Sequence, residues 1–417
     1  MSKRFQTILS NKSLGLKGQI YVPSDKSISH RALILGSLVV GKTSISGLLE
    51  SDDVFKTANG LKALGVDIYK ESDHWCVHGV GIGGFCEPDD IINCGNSGTT
   101  VRLLMGLVST CPIKVTFTGD DSLRKRPMDR VISPLSYFGA TFSSNYNCKL
   151  PINVIGSNEP VPISFDLKIP SAQVKSAILL AGLNVRGKTT VLENEPTRDH
   201  TEKMLQHLGA KIQILKKGSS NIISISGFPK LNPSIINVPG DISSAAFPIA
   251  LACMVPNSEI IIKNVGLNYL RDGFIETLIE MGAYIKLTNK REIGGELIAD
   301  VTSKSSDLRG IKVPKSRVPS MIDEFPILSI AAAHAEGNTI MEEVEELRYK
   351  ETDRIKAMCE GLQKAGVETI DEKDKMVVKG KSKSNYIKGG VEIHSKLDHR
   401  IAMSFLCLGL TTKEPIV

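Results

Sequence analysis

One short pattern, in which a helix-forming stretch ends in an apolar residue, a glycine and a second apolar residue, returns five times along this chain. Glycine suits the left-handed conformation that closes many helices, and the apolar residue after it is typical of an entering strand. The pattern occurs at Leu64-Gly65-Val66, Phe138-Gly139-Ala140, Leu208-Gly209-Ala210, Met281-Gly282-Ala283 and Ala365-Gly366-Val367. Its spacing of about 70 to 85 residues exceeds that of solenoid repeats, so each unit is predicted to be a small layer of helices and strands.

The repeat predicts six units grouped as two similar α/β domains. The first helices of successive units are expected to start near Lys26, Ser97, Ala172, Ser243, Ile322 and His399, with the sixth unit cut short at Val417. A Pro-Gly break within residues 237–241 separates the third unit from the fourth. We therefore expect one domain over residues 24–238 and a second over 1–23 plus 239–417, with the strand before Pro23 completing the second. A single irregular α/β domain is the alternative.

Composition limits the classes of partner. The chain is 41% hydrophobic and 23% charged, as in ordinary globular proteins, and its net charge of +6 is mildly basic. Because it has no long Lys/Arg run and only 5% aromatic residues, small acidic substrates fit better than nucleic acid. The N-terminal stretch has no signal-like apolar core, and no segment approaches the roughly 20 apolar residues of a membrane helix. We expect a cytoplasmic monomer that binds neither nucleic acid nor membrane.

Cysteine and histidine usage predicts neither a disulfide framework nor a metal site. The eight cysteines are scattered without a Cys-x-x-Cys pair, which is typical of reduced thiols in a cytosolic protein. His74 and His78 lie four residues apart in a strand-like stretch, with no third ligand evident beside them. A metal at this pair is therefore not expected.

Two nucleotide-binding motifs are present by letter but not by context. Gly36–Thr43 matches the phosphate-binding pattern G-x-x-x-x-G-K-T, yet a helix is predicted before it and a strand after it, the reverse of what such a loop requires. Gly79–Gly84 matches G-x-G-x-x-G, but Pro88 and the acidic residues after it do not predict the helix that should follow. A nucleotide hydrolase is therefore disfavoured.

The stretch Pro23–Arg31 predicts an anion site at the start of the first helix. An apolar strand-like run stops at Pro23, and Ser24 or Asp25 can cap the helix that follows. Lys26, Ser27 and Arg31 would then lie at the end where free N–H groups and the helix dipole favour anions. An ordinary solvated helix cap is the alternative for this stretch taken alone.

Comparable polar groups stand at or before the other predicted helices. Taken singly, each is explained by solvated caps, but their common position in a sixfold repeat favours an anion-binding site with carboxylates for acid–base chemistry. These stretches are Cys94–Arg102, Leu123–Arg130, Ser171–Ser176, Thr197–His200, Met321–Glu324, Leu347–Arg354 and Leu397–Arg400.

These residues resemble the 5-enolpyruvylshikimate-3-phosphate synthase family, in order and spacing over nearly the whole chain. The matching stretches are Lys26-Ser27 with Arg31, Gly95–Thr99, Arg126–Met128, Ser171–Gln173, Lys350–Arg354 and Asp398–Arg400. Three further stretches, Ser171–Ser176, Arg198–Met204 and Ser320–Glu324, are similar to the second bacterial class of this family. The resemblance implies the enolpyruvyl transferase fold, with two domains of three βαβαββ units each, and no metal or organic cofactor.

The resemblance also implies the residues of the site. Shikimate 3-phosphate, mainly on the first domain, would be held by Lys26, Ser27, Arg31, Ser171, Ala172, Gln173, Arg198, Asp323 and Lys350. Phosphoenolpyruvate would be held by Lys26, Gly98, Arg126, Gln173, Arg354 and Arg400. Asp323 would accept the proton of the 5-hydroxyl, and Lys26 and Glu351 would transfer protons at the methylene carbon. Guanidinium forks suit both the carboxylate and the phosphate of phosphoenolpyruvate.

Two departures from the family pattern and two alternative functions stay open at this point. Family members normally continue past Val417 and many supply another lysine there, and Leu103 replaces a proline found in many first-class members. Gly98 stands where glyphosate-tolerant second-class members carry alanine, so inhibition by glyphosate is expected.

A UDP-N-acetylglucosamine enolpyruvyl transferase would carry Lys-Asn in place of Lys26-Ser27 and a cysteine in the loop at 124–128. A non-catalytic anion-binding relic is the other alternative.

Overall fold

The computed structural model describes residues 7–218, 220–381 and 386–417, and leaves the side chains of residues 145 and 146 undescribed. Its helices are α1 Lys26–Ser37, α2 Asp52–Ala63, α3 Gly98–Val108, α4 Asp129–Ser136, α5 Ala172–Gly182, α6 His200–His207, α7 Ile242–Met254, α8 Gly273–Glu280, α9 Phe325–Ala333, α10 Arg354–Lys364 and α11 His399–Gly409. Short 3-10 helices span Leu123–Lys125, Lys315–Ser320 and Glu345–Tyr349. Residues 1–6, which belong to the predicted second domain, lie outside the described residues.

The strands alternate with these helices along the chain. They are β1 Lys17–Tyr21, β2 Val40–Ser46, β3 Asp67–Glu71, β4 His74–Val80, β5 Ile92–Asn93, β6 Lys114–Thr118, β7 Thr141–Tyr146, β8 Lys149–Ile155, β9 Ser164–Leu167, β10 Lys188–Glu193, β11 Ile212–Lys217, β12 Ser220–Ser226, β13 Ile235–Asn237, β14 Glu259–Gly266, β15 Tyr284–Ile293, β16 Glu296–Lys304, β17 Gly337–Glu342, β18 Thr369–Glu372, β19 Lys375–Gly380, β20 Gly389–Val391 and β21 Glu414–Ile416.

Contacts divide the chain into two compact bodies, which are called the first unit and the second unit from here on. The six segments predicted from the sequence are called repeats. The first unit contains residues 24–239 and 292–296, and the second contains the described residues of 1–23, 240–291 and 297–417. Each unit has a hydrophobic core of its own, one formed by residues between Ile28 and Ile236 and the other by residues between Ile242 and Ile416.

The first unit repeats one sheet topology. Its sheets run β13-β2-β4-β3, β5-β6-β8-β7 and β9-β10-β12-β11. In every one of them the first two strands are parallel and the remaining neighbours are antiparallel. A parallel pair requires a crossover, which α3 supplies between β5 and β6 and α5 between β9 and β10, whereas β13 joins β2 from the far end of the unit. The predicted βαβαββ unit is thus what the strands form here.

The second unit repeats the topology with progressively fewer strands. Its first sheet is β1-β14-β16-β15, in which β1 and β14 are parallel. The next sheet, β17-β19-β18, has no long first strand among the described residues, and isolated parallel bridges at Arg309 and Lys312 stand in its place. The last pairing is the parallel pair β20-β21, so the described residues of the sixth repeat form only the start of the βαβαββ topology.

The helix-ending glycines adopt the conformation that the sequence predicted. Gly65, Gly139, Gly209, Gly282 and Gly366 have φ angles between 91° and 103°. Side chains rarely adopt these angles because Cβ would crowd the backbone, so each glycine ends its helix and turns the chain into the next strand. The recurring pattern therefore marks equivalent points of successive repeats.

In the first and fifth repeats, the first helix is buried more completely than the second. In α1 all residues from Ile28 to Ser37 are buried, and in α9 all residues from Phe325 to Ala333 are buried. By contrast α2 and α10 each keep a polar, exposed face. Burial of the helix body directs attention to the polar residues at its N-terminus, which are the residues that the sequence singled out.

The two discarded motifs have the contexts that excluded them. Residues 36–43 run from the end of helix α1 into strand β2, and residues 79–84 run from the last two residues of strand β4 into a turn without opening a helix. No helix in the described part of the chain has the length and apolar character needed to cross a membrane.

Candidate active site

Helix α1 begins with a capped anion-facing turn in the first unit. The Asp25 side chain accepts a hydrogen bond from the Ile28 N–H at 2.8 Å, which satisfies one free donor of that turn. Lys26 forms an ion pair with Asp53 on α2, with 3.2 Å between Nζ and Oδ2. The Lys26 side chain remains 40% exposed, so its ammonium can also reach a bound anion.

Arg31 lies one turn further along α1 and is buried. Its guanidinium donates to the Thr201 hydroxyl at 2.7 Å, to the Ser176 hydroxyl at 2.9 Å and to the Ser27 carbonyl at 3.0 Å. Burial lowers the pKa of Arg31 to about 10, which still leaves it charged at neutral pH. Arg31 thus joins α1 to α5 and α6 and fixes the backbone of Ser27, while its proposed contact with substrate stays a prediction.

The start of helix α3 places Gly98 beside two arginines. Ser97 caps the helix by accepting from the Thr100 N–H at 3.1 Å. A Cβ atom on Gly98 would lie 2.8 Å from Arg102 Nη1 and 3.4 Å from Arg126 Nη1. Arg126 in turn donates to the Asn96 side-chain carbonyl at 2.6 Å. Glycine therefore leaves the space next to these guanidinium groups open.

Gln173 connects the start of α5 to α3. Its side-chain carbonyl accepts from Arg102 Nη1 at 2.6 Å, and its amide donates to the Thr99 hydroxyl at 2.9 Å. Ser171 caps α5 by accepting from the Val174 N–H at 3.4 Å, with Ala172 as the first helical residue. Gln173 thus lies in the same group as Gly98 and its arginines.

Arg198 stands in the loop between β10 and α6, and it is partly buried. Its charge lies near enough to Arg31 to contribute to lowering the pKa of Arg31, although burial is the main cause. The loop is held at Thr197, the preceding residue, by bonds to Glu193 and Lys175.

The second unit brings another set of predicted residues together around Asp323, in the turn before α9. Asp323 Oδ1 lies 3.5 Å from Arg354 Nη1 and 3.8 Å from Lys350 Nζ. The Asp323 backbone carbonyl accepts from Arg400 Nη1 at 2.9 Å. We call Asp323, Lys350, Glu351, Arg354 and Arg400 the Asp323 cluster.

Arg354 is the most buried member of the Asp323 cluster. It donates to Glu351 Oε2 at 2.6 Å and to Asp398 Oδ2 at 2.8 Å, and its side chain is 2% exposed. Burial alone would lower the pKa of Arg354, but Glu351, Asp398 and Asp323 outweigh it and raise the pKa. Its buried Nη1 has no hydrogen-bond partner among the described residues. Asp323 Oδ1 lies 3.5 Å from this donor, within ion-pair distance but without forming a hydrogen bond, so an acceptor from a bound anion would complete the hydrogen bonding of the group.

Arg400 is oriented by a chain of buried polar groups. Its Nη1 lies 3.6 Å from Glu324 Oε1, and Glu324 accepts a short hydrogen bond from Ser243. Arg271 donates to the Ser243 hydroxyl at 2.7 Å. The residue following Asp323 is thus part of the support for Arg400.

Sequence reasoning named the Asp323 cluster and the group around Gly98, Arg126 and Gln173, but missed their supports. Asp398 and Arg102 stood inside quoted stretches without a role. Glu324 follows Asp323 directly, so adjacency was the available signal. Arg271 had no signal in the sequence, because its partners are remote along the chain.

Another polar group lies outside these sites, on the outer face of the β3–β4 hairpin. The sequence predicted no metal at His74 and His78; ligand atoms of Glu71, His74 and Cys76 lie within 4.8 Å of one another, and this group does not include His78. Lys42 Nζ already lies 2.6 Å from Glu71 Oε2. The lysine supplies the positive charge that this group would otherwise take from a cation.

The comparisons with known proteins agree over nearly the full length. The family model of EPSP synthase (3-phosphoshikimate 1-carboxyvinyltransferase) matches residues 11–417. A 3-phosphoshikimate 1-carboxyvinyltransferase of Cereibacter sphaeroides is 50% identical, covering 99% of this chain and 92% of the relative. One from Roseobacter denitrificans is 52% identical, covering 96% and 89%. The EPSP synthase structure from Acinetobacter baumannii superimposes with a TM-score of 0.87 at 43% identity, covering 98% of this chain and 92% of that one. This chain belongs to the EPSP synthase family and has its two-domain enolpyruvyl transferase fold.

Proposed function

We propose that this chain transfers the enolpyruvyl group of phosphoenolpyruvate to the 5-hydroxyl of shikimate 3-phosphate and releases phosphate, as a step in aromatic amino-acid biosynthesis. Membership of the family supports the reaction, since curated relatives at about half identity carry this activity in their names. The observation that carries the proposal is the Asp323 cluster, in which carboxylates and cations lie within ion-pair distance of one another.

The first unit supplies cations and hydroxyls, which suit a phosphate-bearing sugar-like substrate. We assign shikimate 3-phosphate to Lys26, Ser27, Arg31, Ser171, Ala172, Gln173 and Arg198, and from the second unit to Asp323 and Lys350. Among these, Lys26 and Ser27 occupy the first turn of α1, where free N–H groups favour an anion. Arg31 would act mainly through the Ser27 backbone that it holds.

Phosphoenolpyruvate carries a carboxylate and a phosphate, and both suit arginine. We assign it to Lys26, Gly98, Arg126, Gln173, Arg354 and Arg400. Bidentate guanidinium contacts fix the orientation of planar oxyanions as well as their charge. The Nη1 donor of Arg354 that has no hydrogen-bond partner among the described residues is consistent with a ligand acceptor at that point.

The chemistry requires a base, an acid and a second deprotonation. In the addition step the 5-hydroxyl oxygen bonds to C2 of phosphoenolpyruvate, its proton passes to Asp323, and C3 gains a proton and becomes a methyl group. Lys26 and Glu351 are the proposed proton carriers at C3. In the elimination step the bond from C2 to the phosphate oxygen breaks, the departing phosphate takes up the proton that came from the 5-hydroxyl, and C3 loses a proton to restore the double bond. No net proton is consumed, so the same groups can serve both steps.

The reaction is tested by phosphate release from shikimate 3-phosphate plus phosphoenolpyruvate, with UDP-N-acetylglucosamine in place of the first substrate as the control. We expect release only with shikimate 3-phosphate. Release with the UDP-sugar would favour the alternative transferase, which the comparisons do not favour. Release with neither would favour the non-catalytic relic. We further propose that the protein acts as a cytoplasmic monomer, which gel filtration and cell fractionation would test.

A further inference from the structure

A fully buried lysine in the first unit has no role in the chemistry proposed above. Lys175 lies on α5, and its Nζ is 2.8 Å from Glu202 Oε1 and 3.0 Å from Glu193 Oε2. All three side chains are at most 2% exposed. Because apolar residues of similar volume often give equal or greater stability than a buried ion cluster, stability alone does not explain these charges.

The cluster holds one loop on both sides of a single residue. Lys175 Nζ donates to the Thr197 carbonyl at 3.0 Å. Glu193 accepts from the Thr197 N–H at 3.2 Å and from the Thr197 hydroxyl at 2.9 Å. Asn221 on β12 donates to the other oxygen of Glu193 at 3.1 Å, which fixes the carboxylate itself.

The residue that follows Thr197 is Arg198, a proposed ligand of shikimate 3-phosphate. The Thr197 carbonyl held by Lys175 belongs to the peptide bond that carries the Arg198 nitrogen, so the cluster sets where the Arg198 backbone begins. Lys175 also lies two residues after Gln173, and its own N–H donates to the Ser171 carbonyl at 3.0 Å. The lysine therefore connects the start of α5 with the loop that carries Arg198.

The charge on Lys175 is maintained by its surroundings. Burial alone would lower its pKa, but Glu202 and Glu193 outweigh burial and raise it. The Lys175 side chain is thus charged at neutral pH and remains a hydrogen-bond donor.

We propose that Lys175 and Glu193 form a positioning pair that places Arg198, through Thr197, for the phosphate-bearing substrate. This inference rests on the proposed function, since it concerns binding of shikimate 3-phosphate. It adds two residues, Lys175 and Glu193, that hold Arg198 in place and that are not themselves members of the predicted site.

Thr197→Val tests the pair without unbalancing its charges, because it removes only the hydroxyl that donates to Glu193. We expect the KM for shikimate 3-phosphate to rise about tenfold, as for loss of one hydrogen bond to a charged group, with kcat and the KM for phosphoenolpyruvate changed less than about twofold. Thr189→Val is the matched control, since Thr189 is buried in β10 and its hydroxyl has no hydrogen-bond partner among the described residues. It should leave all three constants unchanged.

A double-mutant cycle separates positioning from general stability. In an Arg198→Ala background, Thr197→Val should no longer raise the KM, because the positioned group is gone. An equal rise in both backgrounds would overturn the inference, as would an unchanged KM in Thr197→Val alone. Glu193→Gln keeps the side-chain shape and provides a second perturbation with the same expected KM change if Thr197→Val folds poorly. A wild-type enzyme without phosphate release would instead reject the proposed function, so the two failures are distinguishable.

Discussion

The two units handle positive charge differently at their candidate residues. In the first unit the arginines contact neutral groups: Arg126 contacts Asn96, Arg102 contacts Gln173, and Arg31 contacts hydroxyls and a carbonyl. In the second unit Arg354 contacts three carboxylates, and Arg400 lies near Glu324. Lys26, paired with Asp53, is the first-unit residue that departs from this contrast.

The difference indicates a division of labour. A guanidinium whose described hydrogen bonds go to neutral groups keeps more of its charge available for an arriving oxyanion than one bonded to carboxylates. A guanidinium among carboxylates is already neutralised, and its carboxylates are held in place for proton transfer. We therefore interpret the first-unit arginines as anion binders, and the second-unit residues as a preorganised acid–base group whose arginines also bind phosphoenolpyruvate.

The largest effect is expected from Asp323→Asn, which keeps the size of the proposed base and removes its ability to accept a proton. Loss of a general base lowers turnover by about 10²–10⁴-fold, and the KM for shikimate 3-phosphate should change far less. Steady-state kinetics measure both constants. Asp374→Asn, at an exposed turn of the same unit, is the control and should remain active. Near-full activity of Asp323→Asn would remove this residue from the mechanism.

Arginine-to-lysine changes in the two units compare their charge environments directly. Arg354→Lys should raise the KM for phosphoenolpyruvate by roughly 10- to 150-fold, as for a lost charged hydrogen bond, and should also lower stability because Asp398 and Glu351 lose donors. Arg400→Lys should affect the same KM, since lysine lacks the fork.

Arg126→Lys should raise the KM for phosphoenolpyruvate while the unfolding midpoint stays near that of the wild type, because its partner Asn96 is uncharged. Kinetics combined with urea unfolding measure both quantities. If Arg126→Lys destabilised the protein as much as Arg354→Lys, the contrast between the units would not hold.

Two histidines, the fully buried His30 of the first unit and the partly buried His334 of the second, are expected to titrate alike, so the contrast between the units does not extend to them. Burial lowers the pKa of His30 to about 3 and that of His334 to about 4. An unfolded histidine gains a proton near pH 6.5 while these do not, so their stability contribution is present above pH 6.5 and falls progressively as pH drops toward the folded pKa.

Each histidine should cost about 2 kcal/mol of unfolding free energy between pH 7 and pH 5. His30→Gln and His334→Gln should each flatten this dependence in urea titrations, whereas His78→Gln, at an exposed position, should not. If His30→Gln and His334→Gln both kept a pH dependence as steep as that of the wild type, the lowered pKa values of these two histidines would be contradicted.

The smallest effect is expected from Gly98→Ala. Because an added Cβ would lie 2.8 Å from Arg102 Nη1, that side chain must move and the space beside Arg126 narrows. We expect the wild type to be inhibited by glyphosate in competition with phosphoenolpyruvate. The alanine variant should bind the inhibitor roughly tenfold more weakly, as for one methyl group in a tight pocket. An insensitive wild type, or equal inhibition of the variant with an unchanged KM for phosphoenolpyruvate, would refute this.

The sequence predicted local structure well where one residue decides it. The helix-ending glycines and the starts of α1, α5 and α11 follow from caps and backbone conformations that neighbouring residues determine. Helix α9 begins at Phe325, three residues after the predicted start, because residues 321–324 form a turn before Pro326.

Partners remote along the chain were not predictable. Motif spacing identified Arg31 as a candidate ligand, but not that its guanidinium would be buried against Thr201, 170 residues away. The surroundings of Lys175 were likewise hidden, since Glu193 and Glu202 meet it only after α5, β10 and α6 have packed together. Side-chain chemistry could be read from the letters, whereas desolvation depends on the finished packing.

The pairing of β1 with β14 has a consequence for how the chain is made on the ribosome. Lys17–Tyr21 emerge early, but their partners Glu259–Lys263 are translated more than two hundred residues later. During that interval the backbone of β1 must wait in water while the first unit acquires its own strands. All five residues of β1 remain exposed even in the finished sheet, so leaving β1 unpaired during synthesis exposes little additional apolar surface to a chaperone. The nascent chain can therefore postpone this long-range closure with a low risk of aggregation.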